Sequence, residues 1–433
     1  MELCQVAVYG CGTVGLGVCR ILLSPGPLHE RTGDSIRLKY VVDGRTEELA
    51  AELPKDRGVI LTDDLEAPLR DPEVGVVVEL FGGTTTARTV IEKALAAGKH
   101  VVTANKALLA EHGDELFRFA RAHGRSIAFE ASVAGGIPVI GSIRRGLISD
   151  PIESIYGIVN GTCNYVLTEM DERGLSYEDA VAEAQRRGYA EADPRLDVEG
   201  VDSAHKLAVL VRLAFGVRVR LEDIPCEGIS GVDRRDIEYA RGLGYTLKLL
   251  AVAVRRDERL ELSVYPALLH RDHPVAVTGG VYNAICIHAG HAGELVMTGM
   301  GAGRLPTASA VVSDIAAIAL GKYPMHFSRL SQFGDVPAAD LVPQAEFVKR
   351  FYLCMECVDS PGALGKVATI LGEEGISIAS VHQQEVGEGL EAAPVVFMTH
   401  KACEGAVDRA LDRISRLSIV PGGRPRMLRV EDV

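Results

Sequence analysis

Basic residues are the minority in this chain: 46 Lys and Arg stand against 59 Asp and Glu, a formal net charge of −13 over 433 residues. A nucleic-acid partner would demand a basic face for its phosphates, so that class is set aside. No stretch reaches the roughly 18 uninterrupted apolar residues that cross a bilayer. The opening Met1-Glu2-Leu3-Cys4-Gln5 runs straight into a strand pattern, without a basic region or a signal-type apolar run. A cytoplasmic protein with no membrane partner is expected. Nine cysteines lie scattered from Cys4 to Cys403 without the spacing of a disulfide framework, which fits reduced thiols. Cys354 and Cys357 form a CxxC, yet in an extended run, where positions i and i+3 face opposite ways. Internal repeats and low-complexity tracts are missing too.

What is present is a globular composition: 47% hydrophobic residues, 24% charged, and 46 glycines for tight turns and close ligand approaches. At about 150 residues per domain the length suggests three folded units. Residues 1–135 alternate short β-rich runs (6–9, 38–42, 74–80, 101–103, 126–129) with helical patterns (88–97, 106–122). That alternation indicates an α/β unit with a Rossmann-type parallel sheet covered on both faces. Residues 136–322 begin with helical segments (163–173, 177–187, 201–215, 234–243). Strand-like stretches follow at 246–255, 260–267, 275–277, 284–288 and 294–298, then a helix at 308–320. This is the pattern of an α+β substrate-binding, catalytic and dimerisation domain with an antiparallel sheet. Residues 323–349, with Pro324, Pro337 and Pro343, read as a linker. Residues 350–433 have the strand–helix–strand–strand–helix–strand (βαββαβ) order of a ferredoxin-like unit, its second strand expected at 376–384.

The segment Gly10-Cys11-Gly12-Thr13-Val14-Gly15 follows the first strand and opens a helix. Its glycines permit a tight turn and close approach of backbone to a pyrophosphate, which meets free N–H groups at the helix N-terminus. Gly10, Gly12, Thr13, Val14 and Gly15 are therefore candidate cofactor-binding residues. The second strand ends Val42-Asp43-Gly44-Arg45. Asp43 suits the ribose 2′-OH of NAD and Arg45 the 2′-phosphate of NADP. The two signals conflict, with the balance toward NADP.

Several passages then resemble homoserine dehydrogenase. They are Val101-Val102-Thr103-Ala104-Asn105-Lys106-Ala107-Leu108-Leu109-Ala110, Glu130 to Pro138, Gly157-Ile158-Val159-Asn160-Gly161-Thr162-Cys163-Asn164, Gly188-Tyr189-Ala190-Glu191-Ala192-Asp193-Pro194, Asp202-Ser203-Ala204-His205-Lys206 and Gly299 to Arg304. They keep the family's order and spacing from residue 1 to about 321. The residues beyond, Asp359-Ser360-Pro361-Gly362-Ala363-Leu364 included, resemble an ACT domain. No aspartate-kinase domain accompanies them, so the likeness is to the monofunctional form. Cys163 stands where the family more often has threonine, and Cys11 fills a variable slot.

The resemblance implies NAD(P)H-dependent interconversion of L-aspartate 4-semialdehyde and L-homoserine, in threonine and methionine biosynthesis. Reducing an aldehyde places negative charge on its oxygen, and a lysine with a lowered pKa suits that proton transfer. Lys206 lies four residues after Asp202 on one helix face, which alone would read as an ordinary surface ion pair. The resemblance instead makes Lys206 the proton donor. It places Lys106 against cofactor and substrate, with a share in proton transfer, and Gly188 and Gly303 against the cofactor. Glu191 and Asp197 are expected to hold the substrate ammonium, with Asp202, Asn160 and Tyr189 completing its site. Glu130, with the Val133, Gly135 and Ile137 carbonyls, resembles a structural site for a monovalent cation, sodium by its hard oxygen ligands. His288-x-x-His291 shows no third ligand in sequence and reads as hydrogen-bonded or exposed histidines.

A related semialdehyde dehydrogenase would need a cysteine nucleophile beside a histidine; Cys163 is the loop candidate and no histidine accompanies it. A non-catalytic amino-acid sensor would not need Lys106, Glu191 and Lys206 together. The ACT resemblance implies regulation by L-threonine at Asp359, Gly362, Ala363 and Leu364, with Ser360 and Pro361 starting the helix. A homodimer or homotetramer is expected from pairing of open sheet edges.

Overall fold

The computed structural model describes residues 3–53, 58–383 and 392–432. Met1, Glu2, Gln384 and Val433, all within expected segments, lie outside the described residues.

The first sheet contains β1 (Cys4–Tyr9), β2 (Ile36–Val42), β3 (Ile60–Thr62), β4 (Val74–Glu79), β5 (His100–Thr103) and β6 (Ile127–Ala128). All pairs are parallel, in the order β3-β2-β1-β4-β5-β6. Val6, Val8, Val77, Val78, Val101 and Val102 are completely buried, as branched side chains covered on both faces should be. The strand order reverses between β1 and β4, and ligands of open α/β sheets bind at the carboxyl ends beside such a switch point. Helix Thr13–Leu23, which leaves β1, packs against helix Arg304–Ala319. Their approach is close: a Cβ at Gly17 would lie 2.7 Å from the Arg304 carbonyl oxygen and 2.8 Å from Ala308 Cβ.

The second sheet has ten strands. They are β7 (Ile152–Ile158), β8 (Tyr245–Arg256), β9 (Arg259–His270), β10 (Tyr282–Ala289), β11 (Gly293–Met300), β12 (Val348–Val358), β13 (Ile378–Gln383), β14 (Ala392–Thr399), β15 (Ala402–Cys403) and β16 (Arg426–Glu431). The order is β11-β10-β7-β8-β9-β16-β12-β14-β13, with β15 beside β12. The ferredoxin-like order expected for the C-terminal part is present, with helices Ala363–Glu373 and Glu404–Ile414 as its crossovers. Its sheet is not separate, however, because β16 pairs in parallel with β9. Buried charges fasten that seam: Lys349 Nζ lies 2.5 Å from Glu261 and 2.9 Å from Glu431, and Arg429 joins Glu404 to Glu227. Cys354 and Cys357 point into different cores from β12, and all nine cysteines are free.

Three expectations change. Residues 275–277 form a turn, not a strand; Val275 and Ala276 are apolar because they pack on the sheet, while Val277 is exposed. Residues 323–349 are packed, not loose: helix Lys322–Arg329 places Tyr323 and Phe327 one turn apart, and with Phe333 they join Phe117 and Phe129 in a buried aromatic cluster. Ser360 does not cap the following helix; its N-cap is Gly362, in left-handed backbone at φ 85°, and Ala363 is the first helical residue.

Candidate active site

The glycine loop closes on the end of β4. Gly10 sits at φ 86°, and a Cβ there would come 2.8 Å from the Leu80 carbonyl oxygen. A Cβ at Gly15 would lie 2.1 Å from the Gly10 carbonyl oxygen, so the turn admits no side chain at either position. Gly12 is the N-cap of the helix that Thr13, Val14 and Gly15 begin, and its side is open space. The Asp43 carboxylate accepts from the Cys11 amide at 2.8 Å and from Arg45 Nε at 3.1 Å, and Arg45 Nη2 donates to the Cys11 carbonyl at 2.9 Å. Burial opposes ionisation of Asp43, but Arg45 and the two amides hold its carboxyl below the usual range. The guanidinium of Arg45 stays half-exposed at the edge of the loop.

Across the β4 and β5 ends, Glu79 is fully buried; it accepts from Thr103 Oγ1 at 2.6 Å and from the Phe81 amide at 2.8 Å. Burial pushes its carboxyl up to about 7. Asn105 caps the helix Lys106–Ala122 through Leu108 N at 3.1 Å and reaches the Gly83 carbonyl at 2.7 Å. Lys106 is thereby the first residue of a helix whose start is pinned to the sheet edge.

A cleft of about 380 Å³ opens here, lined by Val14, Phe81, Lys106, Glu191, Asp197 and Asp202 among others. Its floor is an ion cluster centred on Asp202. One Asp202 oxygen lies 2.6 Å from Lys206 Nζ and the other 3.1 Å from Lys106 Nζ. Asn160 Nδ2 donates to Asp202 at 2.8 Å and to Asp197 at 2.7 Å, while its Oδ1 caps the helix Gly161–Arg173 at Cys163 N. Lys206 Nζ also donates to the Val159 carbonyl at 2.6 Å. Burial works against the Asp202 charge, but Lys206 and Lys106 overcome it and hold the carboxyl far below the usual carboxylate range. Burial works against the Lys106 charge as well, and Asp202, with Asp197 and Glu191, outweighs it and raises the ammonium pKa. A lowered lysine pKa was the expectation. In Lys106 the shared carboxylate reverses it, so this lysine presents a fixed positive charge to the cleft.

The cleft thus unites Val14, Lys106, Glu191, Asp197 and Asp202, with Lys206 and Asn160 joined to it through Asp202. Tyr189 is exposed and packs edge-on against Tyr165, while its carbonyl accepts from Thr162. Gly188 follows helix Tyr177–Arg186 at φ 73°, and Gly303 precedes Arg304–Ala319 at φ 130°; neither lines the cleft. Glu79, Phe81 and Asn105 were not singled out from sequence. The one signal for them is an acidic residue ending the apolar run Val76-Val77-Val78, followed by the glycine pair Gly82-Gly83. Cys163 is no nucleophile: it is buried, burial and the Asp197 and Asp202 charges push its thiol well up, and it donates to the Asp197 carbonyl at 3.1 Å.

Beside the cleft, Ala134 (φ 52°) and Gly135 (φ 27°) make a left-handed turn, and the Gly136 amide is tied to the Met300 carbonyl at 2.9 Å. The Glu130 carboxylate is occupied by the Ile140 and Gly141 amides at 2.9 and 2.7 Å, which leaves its main-chain carbonyl as the oxygen for a cation. Val133 and Gly135 are buried, and among the described residues their carbonyls accept no hydrogen bond; the Ile137 carbonyl accepts from Val139. Buried carbonyls without donors fit a hard monovalent ion.

Comparison with known proteins agrees with this geometry. The family model for the homoserine dehydrogenase NAD-binding domain matches residues 10–130, that for homoserine dehydrogenase 138–316, and that for the ACT domain 352–418. A curated homoserine dehydrogenase of Pseudomonas aeruginosa is 40% identical, with 100% of each chain covered. The crystal structure of a homoserine dehydrogenase from Thiobacillus denitrificans is 36% identical, with TM-score 0.89, covering 100% of this chain and 99% of the other. A hyperthermophilic archaeal homoserine dehydrogenase, solved with NADPH, is 26% identical over 74% of this chain and 98% of its own, with TM-score 0.61. This chain belongs to the homoserine dehydrogenase family, nicotinamide-dependent oxidoreductases acting on a CH–OH group, and carries an ACT domain.

Proposed function

We propose that the protein interconverts L-aspartate 4-semialdehyde and L-homoserine with NADP(H), serving threonine and methionine biosynthesis. The observation that carries this reading is the Lys206–Asp202–Lys106 cluster on the floor of a cleft between the glycine loop and an acidic segment. The nicotinamide supplies or accepts the hydride when bound. Lys206 donates the proton to the substrate oxygen in reduction, and Lys106 stabilises the charge that develops there. An ammonium remains a competent acid toward an alkoxide, so the raised Lys106 pKa suits electrostatic stabilisation in that direction. Glu191 and Asp197 grip the substrate ammonium, with Asn160 and Asp202 fixing the geometry and Tyr189 bordering the site.

Gly10, Gly12, Thr13, Val14 and Gly15 hold the pyrophosphate, with Gly188 and Gly303 closing over the cofactor. For the 2′-phosphate the half-exposed Arg45 is the natural partner, since Asp43 already spends its oxygens on Cys11 and Arg45. A sodium ion at the Glu130, Val133, Gly135 and Ile137 carbonyls would brace the turn beside the site. Threonine regulation is assigned to the turn of Asp359, Gly362, Ala363 and Leu364, of which Asp359 and Gly362 are exposed. The outer strand β13 is exposed, whereas β9 covers the opposite edge of that unit. Pairing of β13 edges is the proposed route to a homodimer or homotetramer in the cytoplasm. Initial rates of homoserine oxidation with NADP and with NAD test the assignment. Turnover favouring NADP supports it; no turnover with either cofactor overturns it.

A further inference from the structure

A second constellation of chemically active side chains lies on the other face of the ten-stranded sheet. Ile285 and Ile287 of β10 point into the helix-packed core, whereas Ala284 and Cys286 belong to a separate apolar cluster on the opposite face. His288, two residues beyond Cys286, shares that face, with Cys286 Sγ 3.6 Å from His288 Nε2. Glu294 of β11 stands directly across from His288 in the antiparallel register. His273 reaches in from the turn between β9 and β10. Ligand atoms of His273, Cys286 and Glu294 all lie within 4.8 Å of one another. His273 Nε2 is buried and has no hydrogen-bond partner among the described residues. A buried polar atom without a partner calls for an explanation.

We propose that His273, Cys286 and Glu294, with His288 in reach as the fourth donor, form a site for one borderline-soft divalent ion of the zinc class. One thiolate, two imidazoles and one carboxylate are ligands that zinc accepts, and a tetrahedral ion at about 2.0–2.3 Å from each sets its donors roughly 3.3–3.8 Å apart. The Cys286–His288 separation already has that value; His273, Cys286 and Glu294, within 4.8 Å of one another, draw together on binding, and His288 turns from its place beside Cys286 to join them. The sulfur and nitrogen donors select against magnesium and calcium, which take oxygen. Binding replaces the Cys286 S–H bond by a metal–sulfur bond and releases that proton to solvent. His273 gives up a 3.2 Å contact from the Val275 amide to Nδ1 when it coordinates through Nε2. Because Glu294 is exposed, the ion has a way in. His291 is no ligand: its amide is tied to Asp150, on the far side of the hairpin turn. The ion would clamp β10, β11 and the 271–280 turn together.

Cobalt(II) is the probe, titrated into the full-length enzyme purified without a histidine tag. The expected result is one equivalent per chain, with tetrahedral visible bands and a thiolate-to-cobalt charge-transfer band that zinc displaces. Cys286→Ser should abolish that band. His273→Ala and Glu294→Gln should each lower the cobalt affinity at least about tenfold, and His291→Ala should leave it unchanged. A charge-transfer band that survives Cys286→Ser, arising at the exposed Cys226 or Cys403, would overturn the proposal, as would its absence from the wild-type protein. Should Cys286→Ser fail to fold, the exposed Glu294→Gln and His273→Ala decide alone: unchanged cobalt affinity in both overturns the site.

Discussion

Replacing Asp202 by asparagine removes one negative charge and almost no volume, and the structure says where the cost falls. The Asp202 side chain is 7% exposed and that of Lys206 12%, so the charge sits in a poorly solvated place. Deleting one partner of a buried ion pair costs about 3–5 kcal/mol. Asparagine retains shape and one acceptor oxygen, so about 1.5–3 kcal/mol is expected, the range for a lost charged hydrogen bond. Lys106 is 41% exposed, and its share is largely screened by water. The catalytic effect should exceed the loss of stability. With the carboxylate gone, Lys206 keeps only the Val159 carbonyl and no shared anion ties it to Lys106, and kcat should fall about 10²-fold or more. The pH profile carries the sign. Asp202 raises the Lys106 pKa, so its removal lowers it, and the loss of activity at high pH, as that ammonium gives up its proton, should begin at a less alkaline pH in the variant. The assays are chemical denaturation and initial rates across pH in both directions. Stability within about 0.5 kcal/mol of wild type, with an unmoved pH profile, would refute the shared-carboxylate reasoning.

Other outcomes follow from single contacts. Arg45→Ala should weaken NADP by about 1.5–3 kcal/mol more than NAD; equal losses in a fluorescence titration would place Arg45 outside the phosphate site. Glu191→Gln should chiefly raise KM for homoserine, and an unchanged KM would transfer ammonium recognition to Asp197. Burial, with the neighbouring Glu130 charge, pushes Asp314 up to about 8 from the ordinary 3.8. Folding therefore takes up a proton there, and stability from this group declines as pH rises from about 4 to about 8. Asp314→Asn should flatten the fall of Tm over that window; a fall as steep as wild type would show that another group is responsible. Threonine should inhibit the intact chain and not Asp359→Asn, whose uninhibited rate should equal wild type; inhibition unchanged in that variant would move the effector elsewhere.

Local patterns were legible and long-range ones were not. The glycine loop, the valine-rich parallel strands and helix Val201–Phe215 are written in spacing, because backbone sterics and burial act over a few residues. The i,i+4 relation of Asp202 and Lys206 was visible as well. That the same carboxylate also holds Lys106 was not, since only the packing of helix Lys106–Ala122 against Val201–Phe215 brings them together. The pairing of β16 with β9 left no local mark either, which is why the C-terminal unit read as free-standing. Strand β7, just ahead of the helical stretch 163–173, is missing from the sequence reading, although it is the strand from which Val159 and Asn160 enter the site. The helix Lys322–Arg329 was hidden by Pro324, which is tolerated because it lies in the first turn. His288-x-x-His291 pointed to the right strand and the wrong partner, for the donors grouped there are Cys286 of the same strand, Glu294 of β11 and His273 of the preceding turn.

The proposed role of Lys206 is tested most directly by single-turnover reduction of L-aspartate 4-semialdehyde by enzyme-bound NADPH, comparing wild type with Lys206→Ala. Hydride transfer should slow by about 10²-fold or more while the NADPH Kd, read by fluorescence in the same preparation, stays at the wild-type value. A folded Lys206→Ala enzyme that reduces the aldehyde at close to the wild-type rate would contradict the assignment of Lys206 as the proton donor.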